Sequence, residues 1–337
     1  MTVLEFQQEP AAGAAPWQQA LRESVRDPAE LLRLLGLDPA LLPAARRAAE
    51  AFPLRVPRGF VARMGRGDPA DPLLRQVLPL DVELAPAPGY GADPVGDLAA
   101  MTVPGLLHKY QGRALLVTTG ACAVHCRYCF RRHFPYGEAN PAPGQWERAL
   151  DYLAGDPTLT EVILSGGDPL VLPDERLAGL ARALERIPHL RRLRVHTRLP
   201  VVLPGRVDGP LLDWLCDTRL QPVVVIHANH AAELDDAVRA ALHALRARGV
   251  SLLNQAVLLR GVNDSVAAQA ALSEALFAAG VLPYYLHALD PVAGAAHFAV
   301  PDAAARTLHA ALRARLPGYL VPRLVREVPG APAKLPL

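Results

Sequence analysis

Six short runs of apolar and β-branched residues alternate with amphipathic runs of helical period from about residue 113 onward, and this alternation limits the folds open to the chain most strongly. The apolar runs span residues 114–120, 161–167, 193–198, 222–229, 251–259 and 282–289. They are nearly unbroken, as is typical of strands that are covered on both faces. The intervening segments 173–188 and 233–249 place leucine and other apolar residues at helical spacing. Six strand–helix units predict an α/β barrel or a doubly wound sheet.

Polar residues of this region collect where the predicted strands end. They are Ser165, Asp168, His196, Arg198, His227, His230, Asn254, Gln255, His287 and Asp290. In parallel α/β folds the active site lies at the carboxyl ends of the strands. We therefore expect one cavity that is lined by the loops after all six strands.

The first 105 residues have a different texture, rich in proline and charge. Segment 27–37 has a helical pattern, and proline and glycine interrupt the rest. We predict a helical and extended N-terminal segment over residues 1–105, a barrel core over 106–300, and a C-terminal helix and tail over 301–337.

The composition favours a folded globular protein and gives no sign of a nucleic-acid or membrane-binding protein. With 51% hydrophobic and 20% charged residues among 337, the chain predicts a sizeable core rather than global disorder. A net charge of +2 gives no electrostatic reason to expect nucleic acid or an anionic membrane as a partner. The N-terminus has early acidic residues and lacks the pattern of a targeting segment, and proline interrupts the charge-free stretches 220–232 and 275–289. We expect a soluble, cytoplasmic protein.

Three of the four cysteines fall within eight residues, directly after the first predicted strand. They are Cys122, Cys126 and Cys129, with the spacing Cys-x3-Cys-x2-Cys. In a reducing compartment such a cluster more often binds metal than forms disulfides. Three thiolates suit zinc, which His125 or His133 could complete, or an iron–sulfur cluster. A four-iron cluster with three protein thiolates would leave one iron open to another molecule.

This cysteine spacing, in the first strand–helix loop of a barrel-like pattern, resembles that of the radical S-adenosylmethionine (SAM) enzymes. Tyr128, two residues after the second cysteine, fits the aromatic residue that is usual there. The turn that ends in Asp168 resembles the family's Gly-Gly-Glu-like turn, which binds the SAM amino group. The resemblance implies a [4Fe–4S] cluster on the three cysteines, SAM on the open iron, and a partial (βα)6 TIM-like barrel.

A wider set of segments resembles the lysine 2,3-aminomutase family, and within it the branch that serves the lysylation of elongation factor P. The segments are 53–64, 103–110, 127–136, 165–170, 254–264, 283–290, 294–298 and 319–327. The resemblance implies an isomerase that converts L-lysine to (R)-β-lysine with pyridoxal phosphate (PLP) beside SAM. It also implies a helical N-terminal extension and a short C-terminal segment that carries the PLP lysine.

The resemblance assigns cofactor roles to several residues. Lys334 matches the lysine that binds PLP. Arg113 matches a ligand of the PLP phosphate, and Tyr110 beside it a contact of the ring. Further cofactor contacts are Asp168, Arg198, His230 and Gln255.

The substrate contacts that the resemblance implies are one arginine and two acids. Arg131 matches the residue that binds the carboxylate of lysine, a task that suits the planar fork of a guanidinium. Asp290 and Glu327 match the pair that binds the side-chain ammonium. An acidic pair disfavours glutamate as the substrate because its terminal carboxylate would be repelled. Free-standing family members carry Asp at the position of Glu327, whereas Glu is associated with the lysylation branch.

The implied partners are an electron donor of the flavodoxin or ferredoxin type and, functionally, elongation factor P and its lysine ligase. The family forms homo-oligomers. One alternative within the same class is an aminomutase that makes free β-lysine for metabolism. An alternative from another class is a zinc-stabilised binding module without radical chemistry, which would be colourless.

Overall fold

A computed structural model describes residues 15–139 and 146–337; residues 1–14 of the predicted N-terminal segment and residues 140–145 lie outside it. One ten-stranded sheet runs through the described part, and its strands lie side by side in chain order. Strands that follow each other along the chain are therefore neighbours throughout. The sheet is open, with β1 at one edge and β10 at the other.

Seven central strands are parallel. They are β3 (Arg113–Thr119), β4 (Glu161–Gly166), β5 (Arg192–Thr197), β6 (Gln221–Ile226), β7 (Ser251–Val257), β8 (Leu282–His287) and β9 (Arg323–Arg326). Strands β3 to β8 are the six predicted ones, so the predicted α/β class and the partial (βα)6 TIM-like barrel are confirmed. The predicted runs 222–229 and 251–259 overshoot β6 and β7, because Asn229 leaves the ladder and its side-chain oxygen accepts a hydrogen bond from the Val257 N–H instead.

Three short antiparallel strands flank the parallel set and were not predicted. Strands β1 (Met101–Val103) and β2 (Leu106–Tyr110) precede β3, and β10 (Leu335–Pro336) pairs with β9. The pairing of Leu335 with Arg326 fixes the C-terminal tail against the barrel. Lys334 thus lies in a segment that connects two paired strands.

Helices cover the parallel strands and fill the N-terminal region. They are α1 (Pro16–Arg22), α2 (Pro28–Leu35), α3 (Leu42–Ala51), α4 (Arg58–Val61), α5 (Tyr136–Ala139), α6 (Glu147–Gly155), α7 (Asp174–Glu185), α8 (Leu199–Val202), α9 (Gly209–Cys216), α10 (Asp236–Ala247), α11 (Val266–Ala278) and α12 (Asp302–Arg315). Helix α10 begins later than the predicted 233, because the Asp235 side chain accepts a hydrogen bond from the Val238 N–H and caps the helix there. No helix of the described residues is long and apolar enough to cross a membrane.

One hydrophobic core joins the barrel to the N-terminal helices. Leu116, Leu164 and Val195 on adjacent strands belong to the same buried cluster as Trp17 and Leu31 of the N-terminal helices. The N-terminal segment is therefore packed onto the barrel wall, where Arg63, just after α4, donates hydrogen bonds to backbone oxygens of residues 201 and 233. This packing also brings residues 76 and 97 to the barrel mouth.

Candidate functional site

The loop with the three cysteines follows β3 and rests directly on the turn that ends β4. The Gly167 N–H donates to the Thr119 carbonyl at 2.7 Å, and the Asp168 N–H donates to the Ala121 carbonyl at 2.8 Å. A Cβ atom on Gly167 would lie 2.2 Å from the Ala121 oxygen. Only glycine allows this approach, which explains why two glycines stand at the end of β4.

The three thiols of this loop are near enough to one another to influence each other's pKa. Burial, followed by the neighbouring thiols, raises the pKa of Cys129 to about 11 and that of Cys122 well above its usual range. Within residues 15–139 and 146–337, no three cysteine, histidine or acidic side chains are placed to hold a single metal ion. Three neighbouring thiols suit a cluster in which each of three irons takes one sulfur.

Each of the two histidines that could complete a zinc site contacts a backbone carbonyl through one ring nitrogen. His125 Nδ1 lies 2.9 Å from the Pro53 carbonyl, and its ring stacks on Phe52. His133 Nε2 lies 3.0 Å from the Ala293 carbonyl. His125 therefore ties the cysteine loop to the N-terminal segment, and His133 ties the chain after this loop to the loop after β8.

Asp168 fastens the end of β4 to the end of β5. Its carboxylate accepts hydrogen bonds from the Thr197 hydroxyl at 2.7 Å and from the backbone N–H groups of Arg198, Leu170 and Leu199. Burial raises its pKa, although these hydrogen bonds oppose the shift. These contacts hold the glycine turn under the cysteine loop, and the predicted role of Asp168 toward SAM stays a prediction.

Gln255 lies beside His227 in the barrel interior, with 2.8 Å between the two Nε2 atoms. His230, three residues further on, instead caps a short turn, where its Nδ1 accepts a hydrogen bond from the Ala232 N–H at 3.2 Å. The cofactor roles that the sequence analysis gives to Gln255 and His230 stay predictions, and His227 is the histidine that contacts Gln255.

Buried polar atoms without partners surround the barrel interior. Nε2 of His196, Nε2 of His287 and Oδ1 of Asp290 make no hydrogen bond to any described residue. Burial, followed by nearby positive charges, lowers the pKa of His287 to about 3 and that of His196 well below its usual value, so both rings are neutral at physiological pH. Orphaned buried groups are costly and rare in folded proteins. Their presence here fits a polar ligand in the barrel.

A chain of alternating charges crosses the mouth of the barrel. Arg131 Nε donates to Asp97 Oδ2 at 2.6 Å, and Lys109 Nζ lies 2.6 Å from Asp97 Oδ1. The same Nζ lies 3.0 Å from Glu327 Oε1, and Glu327 Oε2 pairs with the Lys334 ammonium. The structure thus brings together Arg131, Glu327 and Lys334, which were predicted, through Asp97 and Lys109, which were not.

Asp290 and Glu327 lie close together but differ in protonation. Burial, then the charge of Glu327, raises the pKa of Asp290 to about 7. Burial alone would also raise the pKa of Glu327, but the ammonium groups of Lys334 and Lys109 outweigh it and lower this pKa to about 2. Glu327 is therefore ionised at neutral pH, whereas Asp290 is divided between its two forms.

Arg113 and Tyr110 stand at the start of β3 and the end of β2. The Arg113 guanidinium lies 4.5 Å from the centre of the Tyr110 ring. Burial and then Glu327 raise the pKa of Tyr110. Tyr110 therefore lies near Glu327, and Arg113 lies against the Tyr110 ring.

The close approach of Gly167 predicts a specific defect. Replacing Gly167 with Ala should displace the cysteine loop, because the new methyl group overlaps the Ala121 carbonyl. We expect the variant to lose most of the iron that the wild-type chain binds on anaerobic reconstitution, measured as iron per chain. Gly179→Ala in α7 is the control, since a Cβ there would meet no described atom within 4 Å. Full iron binding by Gly167→Ala would contradict this role of the turn.

The raised pKa of Asp290 predicts how stability depends on pH. The folded value of about 7 exceeds the ordinary 3.8, so the folded state binds an extra proton. The stability from this proton is fully present below pH 3.8 and is lost as the pH rises through 7. Asp290→Asn removes the cost of a buried charge, so its free energy of unfolding should exceed that of wild type at pH 8, by on the order of 4 kcal/mol at most.

Urea unfolding of the iron-free proteins at pH 5 and pH 8 measures this effect. The difference between Asp290→Asn and wild type should shrink strongly at pH 5. The exposed Asp151 in α6 supplies the control, and Asp151→Asn should show no such pH dependence. An equal difference at the two pH values would show that Asp290 does not titrate in this range.

Comparison with known proteins adds to this geometry. The model of the Radical SAM superfamily matches residues 116–213, which include the cysteine loop and the turn after β4. The L-lysine 2,3-aminomutase of Escherichia coli K12 is 52% identical over 95% of this chain and 94% of its own length. The enzyme of the same name from Haemophilus influenzae is 47% identical over 94% of each chain, and that from Clostridium subterminale is 33% identical over 95% of this chain and 77% of its own. The chain belongs to the lysine 2,3-aminomutase family of radical SAM proteins.

Proposed function

We propose that the chain is a lysine 2,3-aminomutase, an isomerase that moves the α-amino group of L-lysine to Cβ and yields (R)-β-lysine. The observation that carries the proposal is the charge chain from Arg131 to Lys334, which offers a cation for a carboxylate at one end and acids for an ammonium at the other. Family membership adds the cysteine loop at the same mouth.

The family implies a [4Fe–4S] cluster and SAM as cofactors, and PLP for its aminomutases. The residues present suit these groups: Cys122, Cys126 and Cys129 for the cluster, Lys334 for PLP, and the unpartnered atoms of His196, His287 and Asp290 for polar groups in the barrel. When bound, SAM and the cluster supply hydrogen-atom abstraction, and PLP supplies the conjugated ring that carries the migrating amino group.

Arg131 is suited to hold the carboxylate of lysine. Asp97 fixes its Nε and the Ser165 hydroxyl accepts from its Nη1 at 3.1 Å, so the guanidinium cannot swing away. Its Nη2 has no hydrogen-bond partner in the described parts of the chain and remains available to a ligand. A guanidinium held in this way keeps its charge and its direction, which positions the reacting carbons of the substrate.

Glu327 is suited to hold the side-chain ammonium, and the structure contains a stand-in for that group. Oε2 of Glu327 forms an ion pair with the primary ammonium of Lys334. When Lys334 is committed to PLP, this oxygen becomes available to the ammonium of the substrate, while Lys109 still fixes Oε1. Asp290 beside it can ionise when a cation arrives, because its pKa of about 7 lies near neutrality.

We further propose that the (R)-β-lysine serves the lysylation of elongation factor P through its lysine ligase, and that a flavodoxin or ferredoxin supplies electrons. The link to elongation factor P is supported by the segments that resemble the lysylation branch and by Glu rather than Asp at position 327. We place the reaction in the cytoplasm, since a reducing compartment keeps three adjacent thiols available to iron. Production of free β-lysine for metabolism is the second candidate.

One assay tests the substrate and the acid together. The reconstituted protein with PLP, SAM, dithionite and L-lysine should form (R)-β-lysine, which chiral chromatography with mass detection identifies. Glu327→Gln should raise KM for L-lysine about 10- to 100-fold, because a charge-assisted contact to the ammonium is lost. Lys334→Ala should abolish the reaction.

Glu175→Gln, at an exposed site in α7, is the matched control and should keep the wild-type KM. Formation of (S)-β-lysine would support the aminomutase activity but contradict the proposed link to elongation factor P. Absence of any β-lysine from a protein with full cluster and PLP would refute the proposed substrate. An unchanged KM in Glu327→Gln would refute the ammonium site alone.

A further inference from the structure

Arg198 places a buried cation against one of the three cysteines. Its side chain follows β5 and is 6% exposed. Nη1 donates to Cys126 Sγ at 2.6 Å and to the Tyr128 hydroxyl at 2.7 Å. Nη2 donates to Gln76 Oε1 at 2.6 Å and to Glu233 Oε2 at 3.1 Å. Four of the five N–H groups of the guanidinium therefore have a defined acceptor, and one of these acceptors is the sulfur atom of Cys126.

A buried acid fixes this guanidinium from the side away from the sulfur. Glu233 is fully buried, and its second oxygen accepts from the backbone N–H groups of Asn229 and His230 and from the Gln76 amide at 2.8–3.0 Å. Glu233 is thus immobile, and the Arg198 guanidinium that pairs with it is immobile as well. Arg198 donates to the Glu233 carboxylate through Nη2 and to the Cys126 sulfur through Nη1. The positive charge of Arg198 therefore lies closer to the sulfur than the negative charge of Glu233 does.

Aromatic rings complete the enclosure. The Arg198 guanidinium carbon lies 5.6 Å from the ring centre of Phe60 in α4 and 5.7 Å from that of Tyr128. The rings keep water away from the contact with Cys126, which strengthens its electrostatic effect. The N-terminal helices, β5 and the loop after β6 all contribute to this enclosure, which an incidental surface contact would not require.

We propose that Arg198 raises the reduction potential of the iron–sulfur cluster that Cys126 ligates. One-electron reduction adds negative charge to the cluster and its sulfur ligands, and no bond forms or breaks. An N–H donor and a positive charge at a ligand sulfur stabilise the reduced form more than the oxidised form. The electron comes from an external one-electron donor. This inference concerns the entry of the electron and does not depend on the identity of the substrate.

The geometry predicts opposite effects for the two partners. Arg198→Met removes the cation and should shift the midpoint potential to a more negative value. Arg198→Lys, which is too short to bond both Cys126 and Glu233, should shift it in the same direction by less. Glu233→Gln removes the opposing charge while Arg198 remains, and should shift the potential to a more positive value.

The measurement is a redox titration of the anaerobically reconstituted full chain, followed by the electron paramagnetic resonance of the reduced cluster. Arg206 offers the control, since it is also a fully buried guanidinium, paired with Asp174, and Arg206→Lys should leave the potential unchanged. A wild-type potential in Arg198→Met with full iron content would overturn the proposal. So would shifts of Arg198→Met and Glu233→Gln in the same direction, which a merely structural role predicts.

Arg198→Met leaves Glu233 buried without a counter-charge and can fail to fold. The double variant Arg198→Met/Glu233→Gln removes both charges and avoids this cost. Its potential should be more negative than that of Glu233→Gln alone. Equal potentials in these two proteins would refute the proposal without any use of the single Arg198 variant.

Discussion

The ion pair between Lys109 and Glu327 joins the two sides of an open sheet. Lys109 lies on β2, next to one edge, and Glu327 follows β9, next to the other. The Lys109 ammonium also binds the Val95 carbonyl and Asp97, so each of its three protons has an acceptor. A buried pair is stabilising only when such further hydrogen bonds offset desolvation. Because Lys109 has these three acceptors, the charged groups at the mouth of the barrel hold fixed positions although they are partly buried.

This polar mouth lies beside a cysteine loop whose position is set by backbone packing. The two glycines at the end of β4 let the cysteine loop pack closely onto the turn, and Asp168 ties the same turn to β5. Arg198 and Glu233 then connect the loop to Gln76 of the N-terminal segment. The cysteines and the charge chain are thus held by one packed unit, which is what a reaction between two cofactors and a substrate requires.

The central strands could be predicted because each is a long apolar run between helical patterns, a signal that is local in sequence. Strands β1, β2 and β10 have three, five and two residues, and their pairing depends on neighbours that the fold supplies. Asp97 follows a proline-rich segment without periodicity and meets Arg131 only because the chain folds back over 34 residues. The roles of Arg131, Asp290, Glu327 and Lys334 came from the family resemblance and stay predictions, whereas their proximity is a finding. His227 directly follows β6 and contacts Gln255, whereas His230 caps the next turn, and this difference depends on where β6 ends.

In this account the two ends of one lysine molecule bind to the two ends of the charge chain, and the ammonium of Lys334 gives way to that of the substrate. A crystal structure of the PLP-loaded protein with L-lysine tests this most directly. We predict that Glu327 binds the side-chain ammonium of lysine, that Arg131 binds its carboxylate, and that Lys109 still bridges Asp97 and Glu327. A structure in which Glu327 remains paired with Lys334, or in which the carboxylate of lysine points toward Asp290 and Glu327, would contradict the account.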